Sequence, residues 1–177
     1  MKKVLYLLII ACAFILGSSM KKKEVEKKSL IPDKQMVQVG IIVKDIEKSA
    51  KAWTAFLGLD KVPEISSTSN HKLNPTQYKG LPTDATARLA FFELDNITVE
   101  LIEPVGGPST WQEFLDTKGE GIHHIAFNVK EMKKQITNFE NSGIPLVQHG
   151  GWDTGEYSYM DATGSLALVV ELLEHYK

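Results

Sequence analysis

Four polar side chains, Gln38, Glu100, His124 and Glu171, sit in apolar, strand-forming surroundings and occupy matching points of two related stretches. Glu100 lies between Val99 and Leu101, and Glu171 between Val170 and Leu172, while Gln38 and His124 each open a run rich in apolar residues. Side chains alternate across a strand, so the apolar neighbours face one way and the four polar groups the other, onto the concave side of one curved sheet. Two carboxylates, an imidazole and an amide gathered there repel or go unsatisfied unless a cation joins them. Carboxylate and amide oxygens with one imidazole nitrogen suit a hard or borderline divalent ion: zinc, nickel, cobalt, manganese and iron are all compatible. The expectation is one divalent metal ion held by Gln38, Glu100, His124 and Glu171, with positions left open to substrate. A lone strand histidine is usually a hydrogen-bonded structural group, and a lone terminal-strand glutamate a surface charge. Equivalence across a repeat is what singles these four out. His123 is expected on the opposite face of its strand as a structural histidine, and Glu103 and Glu174 as solvated charges.

The repeat is visible as two gap-free alignments in the same order. QVGIIVKDIEK (38–48) matches HIAFNVKEMKK (124–134), and VELIE (99–103) matches VELLE (170–174). Gln38 and Glu100 are 62 positions apart but His124 and Glu171 only 47, so the first copy carries a surplus of about 15 residues. Its natural place is 66–83, a stretch rich in Ser, Thr, Asn, Pro and Gly without apolar periodicity, which reads as an inserted loop. His71 and Tyr78 lie in it, either as cover for a binding site or as plain loop residues.

The elements that must position these groups follow a common plan of strand, helix and three strands. The fold class is therefore α+β, with two βαβββ modules forming one curved mixed sheet. Module 1 spans 36–104, a connector 105–121 and module 2 122–174. In module 1 the alternation over 36–43 predicts a half-buried strand. Asp45 can cap the helix that follows, Ile46, Ala50, Trp53 and Leu57 give it an apolar stripe, and Gly58 ends it. A short strand is expected at 61–65, then a hairpin of 88–94 and 97–104 turning at Asp95-Asn96. Module 2 repeats this with a strand over 123–129, a helix over 131–141 presenting Met132, Ile136 and Phe139, and Gly143 as its stop. Three strands are expected at 146–149, 156–160 and 165–173, separated by Gly150-Gly151 and by 161–164. The connector holds a short helix at 110–115.

With 177 residues and 43% hydrophobic content, the chain suffices for one domain with a sizeable core. A formal charge of -2 offers no basic footprint for nucleic acid. Lys2 and Lys3, an apolar run and small residues at 17–19 read as an export signal over 1–19, followed by a charged linker over 20–35. The only cysteine, Cys12, falls inside the signal, so the rest of the chain forms no disulfide. Lipidation at Cys12, or retention of the segment as a membrane anchor, are the alternatives to cleavage near Ser19. The expected localisation is periplasmic or extracellular.

GEGIHHIAF (119–127), VELIEP (99–104) and the connector 106–115 resemble the glyoxalase, bleomycin-resistance and extradiol dioxygenase superfamily, also called the vicinal oxygen chelate superfamily. The likeness covers nearly all of 36–173 and looks most like methylmalonyl-CoA epimerase. Epimerases of that type usually have His where this chain has Gln38; the ordered set Gln, Glu, His, Glu is similar instead to eukaryotic-type glyoxalase I, the lactoylglutathione lyase. The arginine and asparagine with which that enzyme holds glutathione correspond here to Ile42 and Pro104, so glutathione is weakly supported, and an acyl-CoA fits poorly with export. The resemblance implies a lyase or isomerase that takes a proton from carbon next to a carbonyl, with Glu171 as first choice of base and Glu100 as second. It implies a small carbonyl or carboxylic substrate and a homodimer. The alternative is a non-catalytic ligand-sequestering protein of the bleomycin-resistance type. An extradiol dioxygenase usually needs two histidines and one carboxylate around iron, and of these only His124 is placed.

Overall fold

A computed structural model describes residues 29–176; the expected export signal and most of the charged linker lie outside the described residues. Module 1 consists of β1 (Met36–Ile42), α1 (Ile46–Leu57), β2 (Ser66–Ser67), β5 (Thr86–Glu93) and β6 (Thr98–Val105), with β3 (Gln77–Tyr78) and β4 (Leu81–Pro82) inside its insertion. The connector contributes α2 (Thr110–Lys118). Module 2 consists of β7 (Gly121–Asn128), α3 (Met132–Glu140), β8 (Leu146–Trp152), β9 (Gly155–Asp161), a short α4 (Thr163–Leu166) and β10 (Val169–His175). One sheet joins all strands in the order β2-β5-β6-β1-β7-β10-β9-β8-β3-β4. Within each module the first strand pairs in parallel with the last, β1 with β6 and β7 with β10, and β1 meets β7 antiparallel where the modules join. The fold is the expected α+β mixed sheet of two βαβββ units.

Alternation explains the layering. Val99 and Leu101 of β6 pack with Ala90, Phe92 and the Ile46 and Ala50 stripe of α1 on one outer face. Val170 and Leu172 of β10 pack with Met160 and with Met132 and Phe139 of α3 on the other. The intervening residues face inward, where Trp111 of α2 joins Ile42, Ala87, Ile102, Tyr159 and Val169 in a third apolar cluster. Asp45 caps α1 by accepting from the Lys48 N–H, and Gly58 closes it in the left-handed conformation at φ 67.

Several local expectations change. The second strand of module 1 is Ser66–Ser67, later and shorter than 61–65, because it pairs only with Arg88 and Leu89 of β5. Residues 163–166 form a helical turn, so β10 begins at Val169 and not at 165. Gly150 and Gly151 lie inside β8, where a Cβ would meet Tyr157 at 2.9 Å and Asn74 at 2.7 Å, so their smallness serves close approach and not a turn. Leu30 and Ile31, at the end of the expected solvated linker, pack against the module 2 core.

The insertion is not a plain loop. It leaves β2 at one edge of the sheet, and β3 pairs with β8 at the opposite side through Gln77↔His149 and Tyr78↔Gln148. Lys79 and Gly80 turn the β3–β4 hairpin with positive φ values of 49 and 77. Asn70 braces the base of the insertion, accepting from the Thr76 N–H at 2.8 Å and donating to the Thr83 carbonyl at 3.0 Å.

Candidate metal centre

The candidate ligands lie on the four central strands, β6, β1, β7 and β10, where the modules meet. Register places Gly40 between Glu100 on β6 and His124 on β7, and Ala126 between Gln38 on β1 and Glu171 on β10. All these positions therefore share the inner face. Glu100, His124 and Glu171 are 7%, 0% and 4% exposed, and each contributes an atom to a set lying within 4.8 Å of one another. His124 Nε2 stands 3.1 Å from Glu171 Oε2 and 3.6 Å from Glu100 Oε2. Gln38 is half-buried beside them, its amide near enough to Glu100 to favour the ionised carboxylate. One chain thus supplies all four groups, and a second copy is not needed to bring them together.

The backbone that aims His124 has two special features. A Cβ on Gly40 would fall 2.0 Å from His124 Cε1, so only glycine leaves room for the ring. A β-bulge follows at once: Gly40 pairs with His124 but Ile41 pairs with Ile122, leaving His123 as the extra residue. A bulge breaks strict alternation. His123 accordingly turns inward beside His124 and not toward α3 as strict alternation predicts. It is 2% exposed, packs edge-on to Phe114 of α2 and to Tyr159, and brings its Nδ1 to 3.0 Å from His124 Nδ1. The strand pattern alone could not reveal this, although a glycine inside an otherwise regular strand was a sign that something approaches the backbone closely.

Burial dominates the electrostatics. It pushes Glu100 well above the usual carboxylate range, repulsion from Glu171 adds to this, and the Gln38 amide opposes it. Burial, with the neighbouring His124, holds His123 well below the usual imidazole range. Burial also raises Tyr159 well above the usual phenol range, helped by Glu171 and Glu100. Among the described residues, His124 Nε2 and Glu171 Oε2 are buried with no hydrogen-bond partner. Nε2 and Oε2 are close enough to bond, so it is direction that fails: the carboxylate oxygen lies off the ring's donor axis. Orphaned acceptor atoms converging on one point, with two carboxylates near enough to repel, fit a divalent cation of the kind taken by oxygen and imidazole ligands.

The centre opens into a cleft of about 630 Å³ that Gln38, Glu100 and Glu171 help to line. Phe91 stands on the module 1 side, Trp152, Tyr157 and Tyr159 on the module 2 side, and Trp111 comes from α2. The Trp111 indole donates to the Tyr159 hydroxyl at 3.0 Å, which ties the connector helix to the floor of the cleft. Sequence reasoning did not single out these aromatic residues, since their spacing matches that of ordinary core positions. His71 and Tyr78, the loop residues considered as cover, do not line the cleft: His71 pairs with Asp153 at 3.2 Å, and Tyr78 donates to Glu113 of α2. Glu103 and Glu174 are engaged as well. Glu103 pairs with Arg88 at 2.8 Å, and Glu174 accepts the backbone N–H groups of Glu131 and Met132 at 2.9 and 2.7 Å.

Comparison with known proteins agrees with this architecture. The sequence profile of the Glyoxalase/Bleomycin resistance protein/Dioxygenase superfamily matches residues 37–160. The chain belongs to this superfamily. A curated relative, the uncharacterized protein YqjC of Bacillus subtilis (strain 168), is 29% identical over 89 residues, which are 49% of this chain and 64% of the relative. Among solved structures, the hypothetical protein BH1468 from Bacillus halodurans C-125 superposes with a TM-score of 0.57 at 20% identity, covering 81% of this chain and 95% of that one. The methylmalonyl-CoA epimerase from Mycobacterium tuberculosis does so with a TM-score of 0.57 at 19% identity, covering 85% and 92%. At these identities the superpositions establish the shared fold.

Proposed function

We propose that this superfamily member is a metal-dependent isomerase or lyase that abstracts a proton from carbon adjacent to a carbonyl in a small-molecule substrate. The observation that carries the reading is the convergence of Glu100, His124 and Glu171, all buried, with His124 Nε2 and Glu171 Oε2 left unpartnered, at a cleft of small-molecule size. Gln38, Glu100, His124 and Glu171 are the residues that would hold a divalent ion. Such an ion supplies a Lewis acid for the carbonyl oxygen and for the negative charge that grows there as the enolate forms.

The chain's own residues do the rest. Glu171 acts as the base: the C–H bond breaks, its electron pair enters the enolate, and the proton passes to the carboxylate. Glu100, the second carboxylate of the centre, is the group that would return a proton, to the same carbon for an epimerisation or to its neighbour for an isomerisation. Aromatic walls from Phe91, Trp152 and Tyr157 hold the apolar part of the substrate and exclude water from the reacting carbon. The substrate class is a small keto, hydroxy or carboxylic compound. Location outside the cytoplasm belongs to the same reading, on the strength of the sequence at 1–19.

Proton abstraction is tested by incubating the metal-loaded protein with a panel of oxo-acids and hydroxy-ketones in deuterated water and following the carbon next to the carbonyl by NMR. Exchange that depends on added metal and vanishes in Glu171→Gln is the expected result. Tight binding of panel members with no exchange under any metal would turn the reading to a ligand-sequestering protein.

A further inference from the structure

We propose that His123 is a positioning residue for the centre: its Nδ1 accepts a hydrogen bond from His124 Nδ1–H and thereby leaves His124 Nε2 as the nitrogen that faces the carboxylates with a free lone pair. This rests on the proposed metal reading of His124, and it adds a residue to which that reading gave no role.

Adjacent residues of a regular strand point to opposite faces and cannot touch. Here the bulge at His123 cancels the alternation, and the two rings meet at 86° with their Nδ1 atoms 3.0 Å apart. A neutral imidazole carries one N–H donor and one acceptor nitrogen, so two Nδ1 atoms in contact must divide the roles between them. The surroundings of His124 decide which way. Its Nε2 has no acceptor in line, because Glu171 Oε2 lies off the donor axis. A proton on Nε2 would stand on the side that faces Glu100 and Glu171, where the proposed cation is to sit, whereas a proton on Nδ1 has His123 to receive it. The Nδ1–H form is therefore favoured, and it is the form in which Nε2 can serve as a ligand.

The rest of the pocket has the marks of a support built for orientation. Gly40 leaves the space that the His124 ring fills, and Tyr159 lies against it with centroids 5.0 Å apart. His123 in turn is held edge-on by Phe114 and Tyr159, at 5.4 and 5.2 Å. The ring is thus fixed in plane by packing and in protonation pattern by one hydrogen bond. Partners of this outer kind typically change metal affinity by about 10–100-fold when removed.

Two substitutions separate this role from packing. His123→Phe keeps a ring against Phe114 and Tyr159 and removes the acceptor. His123→Asn loses the ring and places an amide oxygen where Nδ1 was. Zinc affinity is to be measured by chelator competition on the full chain and both variants, with thermal melts to confirm folding. The expected order is unmutated protein, then His123→Asn within about threefold, then His123→Phe weaker by about 10–100-fold. A role in packing alone reverses the two variants. Independently, ¹⁵N NMR of the zinc form should show His124 protonated at Nδ1 and zinc-bound through Nε2. Zinc binding by His123→Phe as tight as the unmutated protein's, or ligation through Nδ1, would overturn the assignment of His123 while leaving the centre intact. Failure of the unmutated protein itself to retain zinc, cobalt, nickel or manganese would overturn the centre and the assignment together.

Discussion

The two modules solve the same geometric problem with different chemistry. In each, an inner-facing polar residue is preceded by a bulged one: Val37 before Gln38 on β1, and His123 before His124 on β7. The repeat alignment pairs Val37 with His123 and Gln38 with His124. The Gln38 amide carries its own NH2 donor, which Glu100 on the neighbouring strand can receive, so an apolar residue can stand before it. An imidazole has a second ring nitrogen to satisfy, and module 2 provides a second imidazole for it. Below the ligands the asymmetry reverses, for Gly40 of module 1 is aligned with Ala126 of module 2, and it is the glycine that makes space for the partner module's histidine. Symmetry of the backbone therefore does not carry over to the roles of the side chains, and the histidine of module 2 depends on a glycine of module 1.

The two modules should differ most at the candidate ligands themselves. His124→Ala should lower metal affinity by more than about 100-fold, beyond the range of outer-shell changes, whereas Gln38→Ala, which removes a neutral oxygen, should cost less. Equilibrium dialysis against a metal indicator measures both. An equal or larger loss in Gln38→Ala would mean that module 1 supplies the dominant ligand after all.

Next in size is the space between the modules. Gly40→Ala sets a methyl group 2.0 Å from the His124 ring in a site where Tyr159 and His123 block retreat. Overpacking of this kind typically costs about 1–3 kcal/mol, read from the shift in urea midpoint, and metal affinity should fall with it. The reciprocal Ala126→Gly should leave the His124 ring where it is and affect affinity little. If Gly40→Ala keeps both stability and affinity, the ring has a second position.

The two carboxylates should respond differently to pH. Glu100 has the ordinary carboxylate pKa, 4.5, in the unfolded chain and a value well above it in the fold. The folded metal-free protein keeps a proton that the unfolded chain releases, so its stability should fall as pH rises through the window that opens near 4.5. The slope should reach up to about 1.4 kcal/mol per pH unit. Glu100→Gln should remove that slope. Glu171→Gln should leave the slope in place but narrow the pH window over which it acts, since burial is the larger cause of the shift and Glu171's repulsion the smaller. Urea titrations in chelator at several pH values distinguish these outcomes, and an undiminished slope in Glu100→Gln would place the penalty elsewhere.

The smallest expected effects lie at the helix starts. Asp45 caps α1 from its own N-cap position, while α3, which begins after Glu131 at φ 59 without a side-chain cap of its own, is capped by Glu174 from β10. Alanine at either position should cost about 1 kcal/mol in thermal or urea unfolding. A negligible loss in Glu174→Ala would show that solvent satisfies those two N–H groups equally well.

Much of this was legible in the sequence, and the gaps have physical causes. Alternation and the repeat were sufficient to bring Gln38, Glu100, His124 and Glu171 to one face, because a period of two is strict wherever one side of a strand is buried. They misdirected His123, because a bulge adds a residue without leaving a mark in a hydrophobic pattern. Gly150 and Gly151 looked like a break between strands, since a glycine demanded by close packing and one demanded by a turn are the same letter. Leu30 and Ile31 were hidden by the charges before them, and the aromatic lining of the cleft by its likeness to core. The insertion was located by arithmetic, yet its destination on β8 depends on a pairing of two residues that no local signal announces.

That destination has a consequence for what the molecule avoids. β8 is a seven-residue strand at the far side of the sheet, and uncovered it would present a row of free N–H and C=O groups on which another chain could polymerise. The hairpin from module 1 occupies part of that row at Gln148 and His149, and its own outer strand ends in Pro82, which has no N–H to offer a newcomer. Shortening the fifteen surplus residues would uncover the Gln148 and His149 stretch of that row to solvent.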